Sequence, residues 1–256
     1  MLKAHTLPRQ NAGFLAFCHN VFWSQKGECV KGKSLIVLLV IVGAGYMGYR
    51  HLPSYYNPFV PLQLSDPPGK ITQFKLRRLE PAQCAALLAE ANEQGLISAR
   101  PVADSSGNCP LTNVVRVRDF GPVKLSSSFL ASCPLALSSA LYVKQQARPL
   151  TAQYMQSELV RIEHLGSYAC RNIYHRENAR LSEHATADAL DISGFRLANG
   201  QQISVLRGWK VDKTQPWLQA MLSASCHYYG NGLGPNYNAA HANHFHLGMR
   251  GFGLCR

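Results

Sequence analysis

Two stretches in the C-terminal third of the chain carry side chains suited to binding a catalytic metal ion. Six residues separate His184 from Asp191, and Asp191 sits in a short apolar run. Near the C-terminus, His244 and His246 stand two residues apart, so both imidazoles leave the same face if the segment is a strand. Two histidines and one aspartate are ligands that a catalytic zinc ion takes from a protein, with a fourth position left for water. The spacing therefore predicts a zinc site.

The apolar surroundings of Asp191 strengthen this interpretation. In a strand, Leu190 and Ile192 would enter the core, while Asp191 would share the other face with Ala189. A carboxylate in an apolar strand is costly unless it is paired or bound to a metal ion. Two alternatives stay open: a hydrogen-bonded Asp–His pair without a metal, and a His-x-His strand that only faces solvent.

The composition describes a basic protein large enough for one or two domains. The chain has 256 residues and a formal net charge of +12, and most of its lysines and arginines are scattered rather than clustered. The sequence has no basic stripe interleaved with aromatic residues and no nucleic-acid-binding motif, so we expect no nucleic acid partner. The charge indicates either a solvated basic surface or attraction to an anionic polymer, such as a cell-wall glycan or an anionic membrane surface.

Six of the eight cysteines follow the first apolar segment and are spread over the rest of the chain. They form no Cys-x-x-Cys pair, which argues against a thiolate zinc finger. We expect disulfides formed in an oxidising compartment, with buried free thiols as the alternative. Sequence order suggests the pairs Cys84–Cys109, Cys133–Cys170 and Cys226–Cys255.

The N-terminal region predicts a membrane anchor. An uncharged run covers residues 34–49, close to the roughly 17 residues that a spanning helix needs at minimum. Lysines before the run, Lys31 and Lys33, indicate a cytoplasmic tail at 1–33. We expect an uncleaved single-pass anchor, with a cleaved signal peptide and a buried core helix as alternatives. Several prolines then predict an extended periplasmic linker at 50–79, before a domain at 80–256.

Local patterns predict an α+β fold with a small antiparallel sheet flanked by helices. Prolines suited to a first helical turn place helix starts at Pro81, Pro134 and Pro216, and Ser132 is expected to cap the second helix. The mixture of helices and antiparallel strands is typical of the α+β class. Short strands are expected at 114–117, 159–164, 189–192, 202–205 and 244–249, with a hairpin turn at Asn199-Gly200.

The combined motifs resemble those of known zinc peptidases. Ser182-x-His184-x6-Asp191, followed by a C-terminal His-x-His, resembles the superfamily that contains D-alanyl-D-alanine peptidases, murein endopeptidases and the hedgehog signalling domain. More closely, the chain from about residue 81 to its end resembles the bacterial extensin-like C-terminal domain family. The segments that carry this second resemblance are 166–172, 181–195, 233–238 and 241–247.

The resemblance implies a role for several residues around the motif. His184, Asp191 and His246 would be the ligands of a Zn²⁺ ion. Other polar groups close by in sequence would orient these ligands through hydrogen bonds, as is usual around metal sites. The residues given this orienting role are Glu183, Asp188 and His241.

Further residues would act on the substrate. Arg171 would bind substrate and stabilise the oxyanion, with Tyr168 of the same segment as a second binding residue; a structural surface role for Arg171 is the alternative. The dipeptidases of the superfamily carry a glutamate general base at the position of Asn243, whose amide cannot accept a proton at neutral pH. Proton transfer is therefore assigned to His244, with Glu183 as the second candidate.

Two functions follow from these assignments. The first is a membrane-anchored periplasmic zinc metallopeptidase that hydrolyses peptide bonds of peptidoglycan, as an endopeptidase or a carboxypeptidase. The second is a non-catalytic zinc-containing module that binds the cell wall or a partner protein, and a metal-free structural wall protein is a third interpretation. The expected partners are peptidoglycan and, through the N-terminal helix, the bacterial inner membrane.

Overall fold

The computed structural model describes residues 30–251 and 253–256, with side chains from Ser34 onward, as two compact units. The first unit ends at Pro53 and contains helix α1 (Val30–His51). Its stretch Ser34–His51 is long enough and apolar enough to cross a membrane, and its side chains are exposed. Helix α1 is thus a segment able to span a bilayer, and a signal sequence near an N-terminus has the same properties.

The second unit, Ser54–Arg256, is built on one nine-stranded sheet. Its strands are β1 (Ser98–Pro101), β2 (Val114–Phe120), β3 (Val123–Ser132), β4 (Leu159–Gly166), β5 (Ala189–Leu197), β6 (Gln202–Ser204), β7 (Asn231–Leu233), β8 (Phe245–Gly248) and β9 (Leu254–Cys255). They are arranged in the order β1-β2-β3-β4-β5-β8-β7-β9, and β6 pairs with β5 as well. Strand β5 is thus flanked by β4 on one side and by β8 and β6 on the other.

The α+β class is confirmed, but the expectation of a small antiparallel sheet is wrong because the sheet is mixed. Strands β3 and β4 run parallel, as do β7 and β9, while the other pairs are antiparallel. Parallel neighbours need a long crossover, and the chain between β3 and β4 forms helices that supply it. Sequence patterns missed β3 because the serine run 126–128 breaks its alternation, and β7 and β9 because they are so short.

Most of the helices contact strands of the sheet. The helices are α2 (Lys70–Arg77), α3 (Pro81–Glu93), α4 (Cys133–Tyr142), α5 (Arg148–Met155), α6 (Val205–Gly208) and α7 (Gln215–Ser225), with a π-helical turn between α4 and α5. The expected cap is confirmed, since Ser132 Oγ accepts a hydrogen bond from the backbone of Leu135 at 3.4 Å. Trp217 of α7 packs edge-on against Phe195 of β5, with ring centroids 5.2 Å apart. Such contacts place the core between the sheet and the helices α4, α5 and α7.

The compact unit includes most of the segment 50–79, for which an extended linker is expected. Helix α2 lies in this segment, and Leu64 is buried in the core. Lys75 Nζ and Asp66 Oδ2 are 3.0 Å apart and form an ion pair that is almost fully buried. The packed domain therefore begins near Ser54.

All six cysteines of the second unit form disulfides, as expected. Of the three expected pairs, only the last agrees with the structure. Sequence order misleads for the others because Cys84 on α3 faces Cys133 at the start of α4, and these helices pack against each other. The observed pairs are Cys84–Cys133, Cys109–Cys170 and Cys226–Cys255.

The face of the sheet that points away from this core carries polar side chains on β5 and β8. Asp191 lies between the buried Leu190 and Ile192, and His246 follows the buried Phe245. Because side chains alternate along a strand, both polar residues project from the face opposite the core. The two strands thus present the candidate ligands on one surface.

Candidate metal centre

Strands β5 and β8 and the 3-10 helix before β5 bring three candidate ligands together. Asp191 is directly opposite His246 in the sheet register, and Asp191 Oδ1 lies 2.9 Å from His246 Nδ1. His184, on the 3-10 helix Glu183–Thr186, places Nε2 3.2 Å from Asp191 Oδ2 and 3.2 Å from His246 Nδ1. One potential ligand atom from each residue lies within 4.8 Å of the others. The fold thus gathers the three residues that the resemblance implies as ligands.

The local backbone fixes the position of His184. Ser182 Oγ caps the 3-10 helix by accepting a hydrogen bond from the His184 backbone N–H at 3.3 Å. Ala187, at a left-handed φ of 52°, ends the helix and leads the chain into β5. The His184 ring is buried and donates its Nδ1–H to the carbonyl oxygen of Ser167 at 3.1 Å. A carbonyl only accepts, so Nδ1 carries a proton and Nε2 is the nitrogen that faces the other candidate ligands, where it offers a lone pair once it is deprotonated.

A carboxylate fixes the ring of His246. Its Nε2–H donates to Glu183 Oε2 at 3.1 Å, so Nδ1 is the nitrogen that points at the other two candidate ligands and offers them a lone pair once it is deprotonated. Glu183 also accepts from the Asn231 amide at 3.0 Å and from the Arg250 backbone N–H at 2.5 Å. A β-carbon at Gly248 would overlap this carboxylate, so glycine makes room for it. Glu183 therefore occupies the orienting position that the sequence suggests.

The atoms that converge at this point are all electron-pair donors. Nitrogens of His184 and His246 and a carboxylate of Asp191 face one another in a largely buried place. Such a set is unfavourable unless a cation or a proton joins it. Zinc takes nitrogen and oxygen ligands at about 2.0–2.1 Å, which places tetrahedral ligand atoms about 3.3 Å apart. The separations of 2.9 and 3.2 Å between these atoms suit such an ion.

The pKa values of the cluster reflect the same electrostatic demand when no metal ion is bound. Burial disfavours the imidazolium, but hydrogen bonds to Asp191 and Glu183 outweigh it and raise the pKa of His246 to about 9. Burial also opposes ionisation of Asp191, yet hydrogen bonds from His184 and His246 hold its pKa well below the ordinary value. Burial opposes ionisation of Glu183 as well, but hydrogen bonds from His246 and Asn231 lower its pKa. Without a metal ion, the proton on His246 thus supplies the positive charge that the carboxylates of Asp191 and Glu183 require.

A fourth imidazole, that of His244, borders the cluster. Its Nε2 lies 3.6 Å from Asp191 Oδ1, and its Nδ1–H donates to the amide oxygen of Asn243 at 2.8 Å. Burial lowers the pKa of His244, although the charge of Asp191 opposes the shift. The ring is therefore neutral near neutral pH, with its lone pair on the nitrogen that faces the cluster.

His241 packs against the cluster without joining it. Its ring centroid lies 5.3 Å from that of His244 and 5.7 Å from that of His246. Its Nδ1 is 2.7 Å from the side-chain oxygen of Asn238. Burial and the neighbouring His246 lower the pKa of His241 to about 4, so this ring is neutral. His241 thus forms part of the wall around the candidate ligands.

The segment that contains Arg171 runs beside the segment that contains His184. The backbone N–H of Ser182 donates to the carbonyl oxygen of Arg171 at 3.0 Å. Within the described part of the chain, the partly exposed Arg171 side chain has no hydrogen bond or ion pair. Tyr168 donates its hydroxyl to the carbonyl oxygen of Cys109 at 3.3 Å and keeps 41% of its surface exposed. Both side chains are therefore available to a bound molecule.

Asp188 does not have the contact expected of an orienting residue. Its carboxylate accepts a hydrogen bond from Thr186 at 2.6 Å and lies 3.7 Å from the Arg250 guanidinium. The groups that do support the ligands include Asn231 and Gly248, which no sequence pattern singled out. Neither stands at a recognisable spacing from the motif, because strand pairing alone brings them to Glu183.

Comparison with known proteins shows the family of the chain. Searches of the curated proteins and of the solved structures found no match. The family model described as extensin-like protein C-terminus matches residues 82–256. The match covers more than half of the chain. It includes all three disulfides, the cluster of candidate ligands, Tyr168 and Arg171. The chain therefore belongs to the extensin-like protein C-terminus family.

Proposed function

We propose that the protein is a zinc metallopeptidase that hydrolyses peptide bonds of peptidoglycan. The observation that carries the proposal is the convergence of two oriented imidazole nitrogens and one carboxylate. His184, Asp191 and His246 would hold the ion, with Glu183 orienting His246. A zinc ion at this place supplies a Lewis acid that polarises a carbonyl and makes water more acidic. The choice of peptidoglycan is supported by the resemblance of the motif to that of murein endopeptidases.

His244 is placed to move the proton in such a reaction. Its Nδ1–H is committed to Asn243, so its Nε2 is free to accept a proton. That nitrogen lies 3.6 Å from Asp191, within reach of a water molecule at the cluster. His244 would take a proton from the attacking water and give it to the leaving amine. Asn243 orients this base and does not replace it.

Arg171 and Tyr168 would bind the substrate. The Arg171 guanidinium has no partner within the described residues, and its backbone is hydrogen-bonded beside the His184 segment. A guanidinium at this edge of the site would stabilise the negative charge that develops on the scissile carbonyl oxygen. The exposed ring of Tyr168, three residues before Arg171, offers an apolar contact on the same segment.

The proposed location is the bacterial inner membrane, with the second unit in the periplasm. The apolar helix α1 supports an anchor at 34–49, and Lys31 and Lys33 before it support a cytoplasmic tail at 1–33. The three disulfides support an oxidising compartment for the domain. This location would bring the site to the cell wall.

The experiment uses the full chain, purified in detergent with its disulfides intact. We expect about one zinc ion per chain and new muropeptides when the protein is incubated with purified sacculi. His244→Ala should abolish these products while zinc stays bound, because proton transfer is lost and the ligands are kept. His175→Ala, which removes an exposed imidazole at the end of the 3-10 helix Ile173–His175, is the matched control and should retain the products.

A second candidate function is a zinc-containing module that binds the cell wall or a partner protein without cutting it. The observation that favours it is Asn243, since an amide cannot act as a general base where the dipeptidases have a carboxylate. This function predicts bound zinc and binding to sacculi, with no new muropeptides even after long incubation. That outcome would reject the peptidase proposal.

A further inference from the structure

A groove of about 650 Å³ begins beside the metal centre and runs along β5 and β6. We call it the β5 groove. None of the residues assigned to catalysis, substrate binding or metal binding lines it. The lining residues that matter below are Ser193, Asn243, Leu206, Arg207, Val211 and Arg196.

The β5 groove is continuous with the candidate metal centre at two points. Ser193 lies two residues after Asp191 on β5, and Asn243 holds the His244 ring through a hydrogen bond of 2.8 Å. Along β5, pairing with β8 ends at Ile192 and pairing with β6 begins at Gly194. Ser193 therefore lies in the gap between these two partner strands. A molecule in the groove can therefore reach the proposed reacting centre.

The lining of the β5 groove combines one available cation with apolar surface. Arg196 is engaged by Glu163, with Nε and Oε1 2.5 Å apart. The exposed side chain of Arg207, in contrast, has no hydrogen bond or ion pair within the described residues. Leu206 and Val211 keep 46% and 48% of their surfaces exposed. This combination suits a peptide that carries a free carboxylate and aliphatic groups.

We propose that the β5 groove binds the part of the substrate peptide that extends away from the scissile bond, and that Arg207 binds a free carboxylate of that peptide. Peptidoglycan stem peptides fit this description because their γ-linked glutamate and diaminopimelate residues retain carboxylates. The inference rests on the proposed function for the identity of the peptide, and it makes Arg207 a residue that determines specificity.

The test measures binding without cleavage. The full chain carries His244→Ala and is saturated with zinc in detergent, and its affinity is measured by fluorescence anisotropy. The probes are labelled L-Ala-γ-D-Glu-diaminopimelate and the same tripeptide with its carboxylates amidated. Arg207→Gln is the test variant, Arg207→Lys keeps the charge, and Lys210→Gln is the control, since Lys210 is also exposed but does not line the groove.

We expect Arg207→Gln to weaken binding of the carboxylate probe about five-fold, the effect of losing one exposed charge pair, and to leave the amidated probe unchanged. Arg207→Lys should recover most of the affinity, and Lys210→Gln should have no effect. Equal weakening of both probes, equal weakening by Lys210→Gln, or absence of binding would overturn the inference. If sacculi are not cut but the carboxylate preference persists, the peptidase proposal fails and the groove inference stands.

Discussion

Two groups of buried charged residues in the second unit differ in the cation that balances them. Asp66 and Lys75 form a pair 3.0 Å apart, and the Lys75 ammonium also donates to the carbonyl oxygen of Ser54 at 3.0 Å. Within the described residues, the side chains that pair with the carboxylates of Asp191 and Glu183 are instead all imidazoles, which carry a charge only when they are protonated. The first group is therefore complete in itself, and the second depends on an added cation or proton.

This difference separates a structural pair from a functional cluster. A buried carboxylate beside a buried ammonium is balanced, and it ties the segment before α2 to the domain. Carboxylates that face neutral imidazoles are balanced only when a proton or a metal ion joins them. We expect the first group to determine stability and the second to determine zinc binding. Substitutions in each group test this separation.

The largest effect is expected for Asp191→Ala, which removes the ligand between the two imidazoles. Zinc binding should be lost, an effect beyond the roughly ten- to hundred-fold that follows loss of an orienting residue. Metal content after gel filtration and titration calorimetry measure the change. Asp212→Ala removes an exposed carboxylate and is the control. Retention of zinc by Asp191→Ala would show that the metal ion binds elsewhere and would contradict the ligand role given to Asp191.

A large effect of a different kind is expected for Lys75→Met. It leaves Asp66 buried without its cation, so the free energy of unfolding should fall by about 3–5 kcal/mol. The zinc affinity of the folded protein should not change. Urea denaturation followed by circular dichroism measures the loss, with the exposed Lys213→Met as control. A loss below about 1 kcal/mol, the range of an exposed pair, would contradict the structural role given to this ion pair.

A smaller effect is expected for Glu183→Gln, which removes the charge that orients His246 and keeps the shape of the side chain. Zinc affinity should fall about ten- to hundred-fold. Asp188→Asn is a stringent control because this carboxylate is close in sequence but contacts Thr186 and Arg250 instead of a ligand. Competition with a fluorescent chelator measures both affinities. Equal losses in the two variants would show that general negative charge, and not the contact with His246, is what matters.

Sequence patterns predicted the helices and strands whose caps, prolines or apolar runs lie within a few residues of one another. Ser132 caps a helix, Pro81 starts another, and β5 appears as an apolar run because its core-facing side is made of large side chains. The pairing of Cys84 with Cys133 had no such signal, since it depends on the packing of two helices. The same is true of the parallel pairing of β3 with β4, which depends on the path of the chain between them.

The sequence by itself determined that His184, Asp191 and one of the two C-terminal histidines have ligand chemistry at spacings that a strand and a short turn can bring together, and the resemblance to zinc peptidases favoured His246 as the third. Only the tertiary structure decided which nitrogen of each ring faces the cluster. That choice is made by Ser167 and Glu183, whose contacts with the rings come from chain folding and strand pairing. The orientation of each ring depends on residues that are distant in sequence but in contact in the fold, so the spacing of the motif along the chain cannot determine it.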